Sequence, residues 1–140
     1  GAADGEATIV LLADYACPHC RATHGYLAEL LAAAPRRFRI LVAPVPMDHR
    51  CNRTLASTEP RFEHSCELAQ LAIALWRADA TRFAAFDSWL FEPETPRTPE
   101  DAKAEAIAVP NALACAAGPS SCTEVSNQAV RNSSEWPRRR

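Results

Sequence analysis

A chain of 140 residues is long enough to bury one core and too short for two ordinary domains. With 48% apolar residues, 23% charged residues and a net charge of -2, it is globular and lacks the basic excess that attracts nucleic acid or acidic lipid, so no nucleic-acid partner is expected. None of its 4 glycines has the spacing of a phosphate-cradling loop, no apolar run reaches the roughly 18 residues of a membrane span, and residues 1–6 lack the basic and apolar segments of a signal peptide.

The first element is the run from Ala7 to Ala13, Ala-Thr-Ile-Val-Leu-Leu-Ala. Its near-continuous apolar character and β-branched members predict a strand covered on both faces. After Cys17-Pro-His-Cys20, the residues Leu27, Leu30, Leu31 and Ala34 recur at i, i+3, i+4 and i+7. That stripe predicts an amphipathic helix that begins at the cysteines and ends at Pro35. The run from Phe38 to Ala43 predicts a second strand, which Pro44 and Pro46 end because they cannot donate to a ladder. Strand, helix and strand over residues 1–47 form a βαβ unit with parallel strands.

Residues 64–134 read as a mainly helical insertion within the same single domain. Leu68, Leu71, Ala72, Leu75 and Trp76 make one stripe, and Phe83, Phe86 and Leu90 another. Trp76, Phe83, Phe86 and Trp89 are expected in its core. Pro93 to Pro99 connects to a third helix, for which Thr98 is the N-cap, Pro99 the first position and Ala108 the approximate end. Beyond Pro110, residues 111–117 and 121–132 can each support helix.

Six cysteines, an even number, favour an oxidising compartment. The Cys17-Pro18-His19-Cys20 motif sits where a buried strand turns into an amphipathic helix, which makes it a stronger signal than the spacing alone. Cys17 at the N-cap and Pro18 at the first helical position use proline where its missing N–H costs nothing. The amides of His19 and Cys20 then point at the Cys17 sulfur, and the helix dipole adds positive charge. A Cys17 thiolate is stabilised there, and His19 as a cation or donor acts in the same direction. Stabilising the reduced form makes the pair's own disulfide an oxidant, with Cys17 the attacked sulfur and Cys20 its shielded partner. An inert disulfide or half of a zinc site is the structural alternative, with His19, His24, Cys51 and Cys66 as recruits, but no second Cys-x-x-Cys accompanies the first.

Other polar residues read as structural. His24, one turn beyond Cys20, is expected as a plain surface histidine. Asp14 is either a proton acceptor for Cys20 or, as is commoner, a strand-end cap. Cys51 and Cys66 bracket a polar loop, and a disulfide closing about 15 residues stabilises by roughly 3 kcal/mol; free thiols or a second redox pair are the alternatives. Cys115 and Cys122 flank Gly118-Pro119, and their pairing stays open.

The stretch Ile9-Val-Leu-Leu-Ala-Asp-Tyr-Ala-Cys-Pro-His-Cys20 resembles the active-site strand and helix of the thioredoxin-fold DsbA-like oxidoreductases, whose dithiol is commonly Cys-Pro-His-Cys. The likeness covers Ala7 to about Pro46. Further on, Pro44-Val-Pro-Met-Asp-His-Arg-Cys-Asn52 and His64-Ser-Cys-Glu-Leu-Ala69, with Trp76, are similar to the DsbA-like domains found beside vitamin K epoxide reductase-type membrane oxidases. This resemblance implies an α/β thioredoxin-like fold with a helical insertion. Its implied location is periplasmic or otherwise extracytoplasmic, exported or, as the alternative, membrane-tethered in the full-length protein.

The resemblance also implies a thiol-disulfide oxidoreductase that oxidises reduced proteins or peptides through Cys17, Pro18, His19 and Cys20, with no cofactor or metal beyond the dithiol. Its implied reoxidant is a quinone-linked membrane oxidase of the vitamin K epoxide reductase or DsbB type. A disulfide reductase or isomerase, or a Cys/His metal-binding module, is the alternative. The family's cis-proline loop and closing β-hairpin find no counterpart in the sequence, since Pro46 comes too early and Pro137 has no strand after it. The chain is therefore expected to be C-terminally truncated within the fold.

Overall fold

The computed structural model describes residues 4–108. Strands β1 (Ala7–Ala13) and β2 (Phe38–Pro44) pair in parallel, Ala7 opposite Phe38 and Ala13 opposite Pro44. Helix α1 (Pro18–Ala33) connects them and closes with the Ala34 amide on the Leu30 carbonyl at 3.0 Å, just before Pro35. The segment before β1 lies close against the start of β2: a Cβ on Gly5 would stand 2.7 Å from the Arg39 nitrogen, so only glycine fits there without a backbone shift.

The strand limits follow the apolar runs, but the coverage differs from expectation. Along β1 burial alternates: Leu11 and Ala13 are buried, while Val10 is 56% and Leu12 64% exposed. Leu41, the register partner of Val10, is exposed on the same face. A continuous apolar run does not by itself report which face has a neighbour, and here only the inner one is covered among the described residues.

The inner face meets a helical unit made of α2 (Ser65–Ala78), α3 (Ala80–Phe91) and α4 (Pro99–Ala108), preceded by a 3-10 turn at Pro60–Phe62. Leu68, Leu75, Phe86 and Leu90 are at most 1% exposed, and each contributes about 2 kcal/mol by leaving water. Leu11, Ala13 and Tyr15 belong to the same cluster, so one core runs from the sheet into the helices. Ala102 and Ala106, one turn apart, bury the inner side of α4.

The starts of α3 and α4 are capped by short polar side chains. Asp79 accepts the Thr81 amide at 3.0 Å to open α3, and the Thr98 hydroxyl accepts the Asp101 amide at 3.1 Å to open α4 ahead of Pro99. Of the aromatics expected in the core, Phe86 is buried there, and Phe83 and Trp89 pack against its edge. Trp76 departs from that expectation and is 54% exposed. Ala72 and Leu75 take the inward direction over the last turns of α2, which turns Trp76, one position past Leu75, towards solvent. The expectations for Cys115, Cys122 and Pro137, for helix beyond Pro110 and for the missing hairpin and proline loop lie outside the described residues.

Candidate functional site

Strand β1 ends in a buried tetrapeptide, Ala13 to Ala16, that delivers the chain to the start of α1. Cys17 is the N-cap in extended conformation (φ -87, ψ 119), and Pro18 takes the first helical position. The Cys17 amide donates to the Asp14 carbonyl at 3.1 Å, and the Arg21 amide donates to the Cys17 carbonyl at 3.0 Å, which starts the helical ladder. Cys17, Pro18, His19 and Cys20 therefore share the first turn of α1, where helix amides have no intrahelical acceptor.

Both cysteines are free thiols and both are half-buried, whereas Pro18 and His19 are exposed. Two details differ from the sequence reading. Cys17 is no more open than Cys20 in burial class, and its side chain makes no capping hydrogen bond. A neutral thiol is a weak acceptor, so the amides at the helix start have little to gain from it while it keeps its proton.

Cys20 packs against the core cluster. Burial pushes its thiol up from the ordinary range; the Asp14 amide opposes this by hydrogen bonding, and Cys17 and the Asp14 charge reinforce it. Cys20 therefore holds its proton more firmly than an ordinary thiol does. Asp14 itself is a clamp. One carboxylate oxygen accepts the Ala16 amide at 2.7 Å and the Ser65 hydroxyl at 2.9 Å, and the other accepts the Met47 amide at 2.6 Å. It joins the turn before the dithiol to the loop after β2 and to the first residue of α2.

That loop is locked in turn. Asp48 is fully buried and accepts from Arg50 at 2.6 Å and from Thr58 at 3.0 Å, and Arg50 reaches on to Glu67 at 3.0 Å and to the Glu63 carbonyl. Burial pushes the Asp48 carboxyl up, but Arg50 and Thr58 outweigh it and hold the group below its ordinary value. Cys51 and Cys66 form a disulfide, the structural pairing favoured from the sequence, with a Cα–Cα distance of 6.0 Å.

The sequence reading missed a second polar cluster. His24, expected on the open surface, is 18% exposed in its side chain, and its Nε2 lies 3.1 Å from Asp87 Oδ2. Asp87 Oδ1 accepts the Tyr15 hydroxyl at 2.9 Å, and both the Tyr15 and His24 rings lie against Phe91, at centroid distances of 4.8 and 4.6 Å. Burial, with the Asp87 charge and hydrogen bond, pushes Tyr15 well above its ordinary value, so it acts as a neutral donor. The available signal was positional: Asp87 interrupts the apolar stripe four residues after Phe83 and three before Leu90. His24 and Asp87 also line a cleft of about 200 Å³ between α1, β2 and α3.

Among the described residues no group of three or more His, Cys, Asp or Glu side chains gathers as a metal ion requires, and no helix is long and apolar enough to cross a membrane. No protein-family model matches the sequence, and no curated protein matches it. Among solved structures, the chain is similar to a periplasmic thioredoxin-like protein from Salmonella enterica serovar Typhimurium, with a TM-score of 0.60 and 21% identity over 99% of this chain and 72% of that one. The likeness shows the fold: this chain is an α/β protein of thioredoxin-like architecture.

Proposed function

We propose that the chain is a DsbA-like thiol-disulfide oxidoreductase that oxidises the thiols of exported proteins or peptides through Cys17 and Cys20. The observation that carries this reading is the placement of two free cysteines on the first turn of α1, Cys17 at the N-cap and Cys20 against the core with its thiol pushed up by burial.

The chemistry follows from that asymmetry. A substrate thiolate attacks Cys17 Sγ of the oxidised pair, the Cys17–Cys20 bond breaks, and Cys20 leaves and takes up a proton. The second substrate thiolate then attacks the substrate sulfur of the mixed disulfide. The substrate disulfide forms and Cys17 leaves as a thiolate, which the helix N-terminus favours. Two electrons have passed from the substrate to the pair. Because its proton is held, Cys20 seldom attacks the mixed disulfide in reverse, which supports oxidation over reduction. His19, exposed beside Cys17, adds to thiolate stabilisation when charged.

Reoxidation by a quinone-linked membrane partner of the vitamin K epoxide reductase or DsbB type, and a periplasmic or otherwise extracytoplasmic location, complete the proposal. The location rests on the oxidising setting that the Cys51–Cys66 disulfide favours and on the periplasmic neighbour. The test is oxidative refolding of a reduced multi-cysteine protein with glutathione disulfide as terminal oxidant. The chain should accelerate disulfide formation and Cys17→Ala should abolish the effect; equal rates with and without Cys17 would overturn the proposal.

A further inference from the structure

Helix α1 carries the dithiol yet has no fully buried residue, and among the described residues its apolar side chains packed against the core cluster are Cys20 and Leu27. Apolar packing alone therefore gives this helix a weak hold on its orientation. A polar contact supplies a second hold. Asp87, on α3 and 4% exposed, spends one carboxylate oxygen on Tyr15 and the other on His24. Tyr15 stands two residues before Cys17, and His24 stands four after Cys20. The two donors bracket the active turn, and Phe91, one turn beyond Asp87 on α3, receives both of their rings.

We propose that Asp87 is a positioning residue for the dithiol: through Tyr15 and His24 it fixes the start of α1 on the helical unit, so that Cys17 keeps its place at the helix N-terminus. This inference rests on the thiol-disulfide reading above.

Two physical points separate it from simple stabilisation. A buried carboxylate is a costly way to hold two elements together, since a well-packed apolar residue of similar size often does as well; what it adds is a defined geometry. Moreover, Asp87 touches neither cysteine: its two carboxylate oxygens are taken by Tyr15 and His24. Its proposed action on the dithiol is through position, and the asparagine variant separates this from a charge effect. Asparagine at 87 keeps the contacts, its carbonyl accepting from Tyr15 and its amide donating to the other tautomer of His24. Leucine at 87 removes both.

The experiment is the equilibrium constant between the Cys17–Cys20 pair and the glutathione couple, measured in the whole chain together with its thermal stability. Asp87→Leu should make the pair less oxidising by about fivefold, the size of one helix-terminus interaction. Asp87→Asn should stay near the wild-type constant. Tyr15→Phe and His24→Phe, each leaving half of the clamp and keeping a ring against Phe91, should fall between and remain readable if Asp87→Leu does not fold. An unchanged constant in Tyr15→Phe, His24→Phe and any folded Asp87→Leu, with only the melting temperature lowered, would overturn the inference. So would an equal shift in Asp87→Asn, which would show a charge effect. A wild-type pair that does not exchange with glutathione would instead overturn the thiol-disulfide reading itself.

Discussion

Removing the Cys51–Cys66 disulfide tests how the loop beside the dithiol is held. The two cysteines are 15 residues apart, so the cross-link restricts the unfolded chain by about 3 kcal/mol on the chain-entropy model. Cys51→Ala with Cys66→Ala adds little in the folded state. Cys51 is exposed, and although Cys66 is buried, alanine there leaves only a small space. The loop keeps its other ties, from Asp48 to Arg50 and Thr58 and from the Asn52 side-chain amide to the Pro46 carbonyl at 3.0 Å. The folded form should therefore persist with its melting temperature lowered by on the order of 10 °C. Denaturant unfolding followed by fluorescence of the tryptophans measures the free energy. A loss below about 0.5 kcal/mol would refute the closure argument, because it is far below the roughly 3 kcal/mol that loop-closure entropy gives for this length.

Three further outcomes are expected. Asp48→Ala should cost about 2 kcal/mol at neutral pH, less than a fully buried ion pair because half-exposed Arg50 regains water. Partners hold the Asp48 carboxyl below its unfolded value, so its contribution is present above that value, about 3.9, and is lost as the pH falls through the folded one. Unfolding curves of wild type and variant should accordingly converge in acid, and a constant gap would contradict the assignment. Phe86→Ala, at a position 1% exposed, should destabilise by about 4 kcal/mol in the same assay, and a change under about 1 kcal/mol would place Phe86 outside the core. His19→Ala should make the dithiol less oxidising by roughly tenfold against glutathione, the effect of one favourable charge beside a thiolate; an unchanged constant would leave the helix terminus as the sole influence.

The elements were legible where local chemistry decides them. Pro35 follows the end of α1, β2 ends on Pro44, one residue beyond the Ala43 expected, and the Thr98 cap before Pro99 marks α4 within a few residues of chain. The dithiol turn was legible for the same reason, since a strand, a proline at the first helical position and two cysteines a turn apart are local facts. Tertiary neighbours decided the rest. Whether Val10 and Leu12 are covered depends on what lies across the sheet, and which of the neighbours Leu75 and Trp76 is buried depends on which side of α2 the other helices cover. His24 looked like any surface histidine because its partner lies 63 residues away, and Asp87 drew no reading because its two donors come from elements far earlier in the chain.

The claim on which the account depends is that the two thiols of the first turn differ in kind, and site-resolved alkylation of the reduced chain as a function of pH tests it most directly. With iodoacetamide and peptide mass spectrometry as the readout, Cys17 should react first at neutral pH, while Cys20 should lag until alkali beyond the ordinary thiol range, because burial and its neighbours hold its proton. Equal rates at both sites, or faster reaction at Cys20, would contradict the account.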